Sequence, residues 1–199
     1  QVLQCAYTCE KARLVVCEMT DLLALDLVEK RLVTDQMTLT IGYDIENLTD
    51  PVRRKNYKGE VTVDRYGRKI PRHAHGTVNL DRQTSSSELI ISAVLKLYDE
   101  ITDKNLLVRR ISVTAGRVVS EDLAREKENF EQLELFTDYE AREKEKKKEE
   151  ERLQRERRMQ EAVLDIKKKF GKNAVLKGMN FEEGATARER NRQIGGHRA

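Results

Sequence analysis

Met37-Thr38-Leu39-Thr40-Ile41-Gly42-Tyr43 sets large apolar side chains at every second position, with threonine hydroxyls between them. A period of two is the repeat of an extended chain, so this stretch makes a strand with one buried face and one open face. The segments on either side can be phased against it. Upstream, Ala12, Val15, Val16, Met19, Leu22, Leu23 and Leu27 recur at helical spacing, while Lys11, Glu18, Asp21, Glu29 and Lys30 take the other side. Thr8 can cap this helix and Glu10 lies in its first turn, where negative charge meets free N–H groups; the helix should end near Arg31. Gln1 to Cys5, before it, is short and β-compatible.

Downstream, residues 44–56 are polar, contain Pro51, and read as an irregular connection. Glu60-Val61-Thr62-Val63 and Arg68-Lys69-Ile70 flank Asp64-Arg65-Tyr66-Gly67, a hairpin whose Gly67 supplies the positive φ of a tight turn. Gly76 to Asp81 is a further strand, with Val78 and Leu80 opposite Thr77 and Asn79. Ser85-Ser86-Ser87-Glu88 is a capping box, so a second helix starts there, with Ile90, Val94, Leu97, Tyr98 and Ile101 inward and Lys96, Asp99, Glu100 and Asp103 outward. From Val108 to about Val119, Ile111, Val113 and Ala115 alternate with Arg110, Ser112, Thr114 and Gly116. The order of elements predicts an α+β fold: four main strands with two helices packed on one face, followed by an extended charged helical tail.

Two helices cover one face of such a sheet and leave the other open. The side chains expected there are Thr38, Thr40, Thr77, Asn79, Arg110, Ser112 and Thr114. A merely solvated face carries long Lys and Glu side chains; short hydroxyls and amides let a phosphate backbone approach closely, and Arg110 adds a charge-assisted bond. Charge is unevenly spread. Residues 1–136 hold 20 Lys/Arg and 22 Asp/Glu, whereas residues 137–199 hold 18 and 13. Residues 53–72 form a basic arm, with Arg53, Arg54, Lys55, Lys58, Arg65, Arg68, Lys69 and Arg72 against only Glu60 and Asp64. Tyr57 and Tyr66 on this arm either touch sugars or pack the hairpin, and the sequence leaves both readings open.

Charged residues are 37% of the chain and mean hydropathy is -0.71, too polar for one fully compacted globule. The tail explains much of this. Ala141 to Arg158 is almost wholly charged, with favourable i,i+4 pairs such as Glu143 to Lys147, and residues 137–170 read as a solvated single helix. Met159, Val163, Ile166 and Phe170 put an apolar stripe on its end, and Gly171 stops it. Residues 171–199, with Arg188, Arg190, Arg192 and Arg198, read as a basic, flexible end. Cys5, Cys9 and Cys17 lack zinc-ligand spacing and read as reduced, partly buried thiols of a cytosolic protein. His73 and His75 have no third ligand near them and read as loop or strand-edge residues. No apolar run approaches the roughly 18 residues of a membrane span, and no signal peptide opens the chain. Gln1 stands in what reads as the middle of a strand, so a fragment is expected.

YGRKIPRHAHGT (66–77), TSSSELI (84–90), LLVRRISV (106–113) and FEQLELF (130–136), in this order of elements, resemble the C-terminal half of a Y-family translesion DNA polymerase. The similarity is to the UmuC-like polymerases of Gram-positive bacteria and their phages and mobile elements, and LKGMNFEEGATARERNRQIGGHRA (176–199) resembles their ending. The resemblance implies a little-finger domain over residues 1–120 that binds primer–template duplex through the open face and through Arg53, Arg54, Lys55, Lys58, Arg68 and Lys69. Residues 121–136 become a linker, and its Q-L-x-L-F pattern resembles the peptide that docks on the bacterial sliding clamp. In that mode Leu135 and Phe136 fill an apolar pocket, Leu133 packs beside them and the Gln132 amide bonds at the rim. The other reading of Gln132 to Phe136 is the first turn of the tail helix. The family's catalytic palm, with its Mg²⁺, has no counterpart here, so the chain is expected to hold no catalytic residues, metal or cofactor and to be inactive alone. The implied setting is DNA repair and the SOS response in the bacterial cytoplasm, with no membrane and no small-molecule substrate. A non-catalytic nucleic-acid-binding adaptor tethered to the clamp is the alternative. An RNA-binding sheet module would need aromatic side chains on the open face, where none is expected.

Overall fold

The computed structural model describes residues 1–131, 139–194 and 197–198. Strand β1 (Val2–Tyr7) leads into helix α1 (Cys9–Glu29), where the Thr8 hydroxyl accepts a hydrogen bond from the Lys11 N–H at 3.4 Å. The long strand β2 (Leu32–Tyr43) follows, and then α2 (Glu46–Thr49) and α3 (Pro51–Asn56). These short helices replace the irregular connection expected there. Pro51 sits in the first turn of α3, where a missing N–H has no acceptor to serve, and the Asp50 carboxylate accepts from the Arg53 N–H at 2.8 Å. Next come β3 (Val61–Val63), β4 (Lys69–Pro71), β5 (Ala74–Thr84), α4 (Ser87–Ile101), β6 (Val108–Gly116) and β7 (Val119–Ser120). The chain continues through α5 (Glu121–Glu131), α6 (Tyr139–Phe170), a 3-10 turn (Gly178–Phe181), α7 (Ala187–Arg190), β8 (Gln193–Ile194) and β9 (His197–Arg198).

The main sheet is antiparallel, in the order β1-β6-β2-β5, with β7 paired to the start of β2. Met37, Leu39, Ile41 and Tyr43 are buried on one face of β2 and join Val15, Val16, Ile90, Val94 and Tyr98 of α1 and α4 in one core. The α+β arrangement with two helices on one face is therefore present as expected. Close approach of the layers depends on Gly76, because a Cβ there would lie 2.9 Å from Leu97 Cδ1 of α4. Tyr98 is fully buried and its hydroxyl donates to the Cys9 carbonyl at 2.7 Å; burial pushes the phenol far above its ordinary range. All three cysteines are free, with Cys9 and Cys17 half-buried but Cys5 exposed.

The tail departs most from expectation. Helix α6 has the anticipated extent, but it does not stand free in solvent. Its polar side docks on the start of α4. Ser86, not Ser85, caps α4, and the carboxylate completing the cap comes from α6: Glu156 accepts from Ser86 Oγ at 2.5 Å and from the Glu88 N–H at 3.0 Å. Gln160 is buried and donates to the Ser85 carbonyl at 3.1 Å and to Ser87 Oγ at 2.9 Å. Arg157 pairs with Glu121 at 2.7 Å, Arg152 pairs with Glu88, and Lys168 reaches Glu29 at 3.2 Å. A helix N-terminus offers unpaired N–H groups and positive potential, which is why a carboxylate rather than an apolar side chain binds there. Met159, Ile166 and Phe170 of the apolar stripe stay exposed.

Residues 177–187, part of the 171–199 end expected to be flexible, lie folded against α1. The organising group is Glu18, which the helical pattern placed on the wet side of α1 and which is only 2% exposed. Its carboxylate accepts from Asn180 Nδ2 at 2.8 Å, from the Thr186 N–H at 2.8 Å and hydroxyl at 3.2 Å, and from the Ala187 N–H at 3.0 Å. Lys177 pairs with Asp21 at 2.6 Å, and Cys17 Sγ donates to Met179 Sδ at 3.5 Å. Arg190, assigned from sequence to an exposed basic end, donates to the Gln1 side-chain carbonyl at 2.7 Å; burial lowers its pKa while the Glu18 charge opposes that. No helix among the described residues is long and apolar enough to cross a membrane.

Replacing Glu18 by Ala leaves the Thr186 and Ala187 N–H groups buried without an acceptor. The expected loss is about 2–3 kcal/mol, a fall in melting temperature of roughly 4–12 °C, with hydrogen-exchange protection lost over residues 177–190 while β2 and β6 keep theirs. An unchanged melting temperature would show that the carboxylate does not hold the tail.

Candidate nucleic-acid interface

Strand register decides which side chains share the open face. Thr38 pairs with Thr77 of β5 on one side and Thr114 of β6 on the other, and Thr40 likewise lies between His75 and Ser112. Gln36 lies between Asn79 and Gly116, and Gly42 lies beside Arg110. The seven residues expected on this face, Thr38, Thr40, Thr77, Asn79, Arg110, Ser112 and Thr114, are thus brought together in parallel rows across three strands. Several are tied laterally: Thr38 Oγ1 to Thr77 Oγ1 at 3.0 Å, Thr40 Oγ1 to His75 Nδ1 at 2.9 Å, and Gln36 Nε2 to Asn79 Oδ1 at 3.0 Å. These cross-strand bonds fix short polar side chains close to the backbone, so the face stays low and even.

Three members of the face were not anticipated from sequence. His75 joins it because β5 begins at Ala74, two residues before the expected start, and His75 is in phase with Thr77 and Asn79. The same alternation extended backwards would have found it. Gln36 belongs by the equivalent extension of β2. Arg117 sits just past β6 with φ 47°, pairs with Asp35 at 2.8 Å and donates to Asn79 Oδ1 at 2.6 Å. Its placement depends on that left-handed backbone, which no local residue pattern announces.

The basic arm is attached at the other end of the face. It leaves β2 at Tyr43 and returns at Ala74, beside Thr40, His75 and Arg110. Its root is rigid. Asn47 is fully buried, donates to the Asp44 and Leu107 carbonyls at 2.9 Å, and accepts from the Leu107 N–H at 2.8 Å. Arg53, Arg54 and Lys55 occupy the last turn of α3, Lys58 lies in the connection after it, and Arg68 and Lys69 lie on the β3–β4 ribbon. These six are on the arm and not among the rows of the sheet. Both acidic residues within 53–72 are spent there, Glu60 on Arg72 at 2.5 Å and Asp64 on Arg68 at 2.7 Å. The Arg68 guanidinium and backbone N–H hold the Asp64 carboxyl below its usual range. Arg53, Arg54, Lys55, Lys58, Arg65 and Lys69 have no carboxylate partner among the described residues.

Gln132, Leu133, Leu135 and Phe136, the clamp-type peptide, lie outside the described residues, between α5 and α6. Among the described residues no three His, Cys, Asp or Glu side chains converge as a metal-binding group. No curated protein matches the chain. Residues 6–135, nearly two thirds of it, match the model of the impB/mucB/samB family C-terminal domain. The chain therefore belongs to this family and carries the C-terminal region of a Y-family, UmuC-type DNA polymerase, whose general setting is DNA repair and translesion synthesis.

Proposed function

We propose that this region binds the primer–template duplex for its polymerase and tethers that polymerase to a sliding clamp. One observation carries the duplex assignment: the sheet has an open face of short, laterally bonded polar side chains, continued at one end by an arm with six cations that lack carboxylate partners among the described residues. A low polar face admits the sugar–phosphate backbone to within hydrogen-bond distance, and Thr38, Thr40, Thr77, Ser112, Thr114 and Asn79 supply the bonds. Arg110 and the arm neutralise phosphates and release counterions, so binding is independent of sequence and sensitive to salt.

Nucleotidyl transfer, with its Mg²⁺, falls in this reading to the palm domain of the parent polymerase. This chain's own contribution is grip. A weakly held polymerase gains from a second attachment, since docking on the clamp raises its local concentration at the primer end. The sequence Gln132-Leu133-Glu134-Leu135-Phe136 supports that second attachment, placing two adjacent large apolar side chains after an amide in an otherwise acidic linker. The finer assignment is to the UmuC-like polymerases of Gram-positive bacteria, acting in the bacterial cytoplasm.

Exchanging Arg53, Arg54, Lys55 and Arg110 together for Ala should weaken duplex binding and lower the slope of log affinity against log salt by about 0.9 for each phosphate that is no longer neutralised. Fluorescence anisotropy across a salt series reads both. Unaltered affinity and slope would end the duplex assignment. For the tether, a Gln132→Ala, Leu135→Ala, Phe136→Ala chain should lose micromolar binding to a bacterial sliding clamp that the parent chain shows; equal binding by both would refute the peptide's role.

A further inference from the structure

Among the described residues the open sheet face carries no Phe, Tyr or Trp, and its imidazole, His75, is bonded to Thr40; the arm carries two tyrosines. These have separate fates. Tyr57 packs against the core and its hydroxyl donates to the Glu60 carbonyl at 2.6 Å. Tyr66 does neither: it stands at the tip of the β3–β4 ribbon, 63% exposed. The backbone under it is well held. Asp64 Oδ1 accepts from the Tyr66 N–H at 2.8 Å and the Arg68 N–H at 3.0 Å, Asp64 Oδ2 accepts from Arg68 Nε at 2.8 Å, and Gly67 closes the turn at φ 77°. The guanidinium carbons of Arg65 and Arg68 lie 4.7 and 5.2 Å from the centre of the Tyr66 ring. Val61 and Val63, on the ribbon below, are also exposed, and among the described residues β3 and β4 pair only with each other.

A two-stranded ribbon gains little stability by itself, and an aromatic ring held in water at its tip adds none to the core. A fixed turn that displays a tyrosine between two arginines is instead suited to a flat, anionic partner. We propose that Tyr66, with Arg65 and Arg68, is a stacking site for an unpaired base of single-stranded DNA, where a strand runs off the duplex held on the sheet. Inside a duplex both faces of each base are covered by its neighbours, so the ring finds a free face only on an unpaired base. Guanidinium planes extend the stack and neutralise the flanking phosphates. The arm roots beside Thr40, His75 and Arg110, so a strand leaving the sheet at that end meets it. This inference rests on the duplex reading given above and adds a separate site to it.

The experiment compares the full chain with Tyr66→Ala and Tyr66→Phe, on a blunt duplex and on the same duplex bearing a single-stranded 5′ overhang with 2-aminopurine. Parent protein should bind the overhang substrate more tightly than the blunt one and quench 2-aminopurine. Tyr66→Ala should leave blunt-duplex affinity unchanged, weaken overhang binding about five- to 100-fold and abolish the quenching, while Tyr66→Phe retains both. Unchanged overhang affinity and quenching in Tyr66→Ala would overturn the stacking site with the duplex reading intact. Equal weakening on both substrates would also overturn it, since the tip would then act in a duplex groove. Failure of the parent chain to bind blunt duplex would instead remove the duplex reading, and the site that rests on it.

Discussion

One-sided burial of β2 is the constraint on which the molecule depends. Met37, Leu39, Ile41 and Tyr43 lie against α1 and α4, and a strand paired on both edges cannot rotate to share them with the other side. The sheet therefore has one dry face and one open face. Everything apolar and long enough to fill a core goes to the first, and the second is left to side chains that bond sideways to one another. A one-residue slip of β2 against β5 would exchange the two sets, and the buried row of β2 alone makes that too costly to occur.

The tail adds to the dry side without using apolar packing as its chief means. Glu156 completes the cap of α4, Gln160 bonds the serines that open the same helix, and Glu18 of α1 receives four donors from residues 180–187. Each of these bonds sets a charged or amide group against backbone or side-chain polar groups, several of them buried. Such bonds are directional, so they fix where the tail lies even though each contributes only modestly to net stability. Residues 156–187 bond to α1 and to the start of α4, the helices that cover the dry face.

The arm follows a different logic. Buried Asn47 anchors its root and Asp64 orders its tip, and between them the cations outnumber the carboxylates available to pair with them. Like charges held together repel unless an anion joins them, so an arm of this composition is an unfavourable arrangement in isolation and a favourable one against phosphate. The family assignment over residues 6–135, the C-terminal domain of a DNA polymerase family, is consistent with DNA binding.

The sequence by itself determined the central sheet, the two core helices, the open-face row and the basic arm, because each is written in a local period: two for strands, 3.6 for helices, and a run of like charge. It also determined Thr8 as a cap and the extent of α6. Tertiary structure alone decided what the charged residues do. Glu18 lies on the polar side of its helix by every local rule and is buried, because its partners come from more than 160 residues away. Glu88 reads as the carboxylate of a capping box, but the N–H of the cap residue Ser86 donates to Thr84 Oγ1 at 3.0 Å, Glu88 pairs with Arg152, and Glu156 accepts from the Glu88 N–H. Periodicity records how side chains face relative to their own element, whereas the pairing of a charge depends on which other element arrives beside it. In a chain that is 37% charged, that second decision settles where the tail goes.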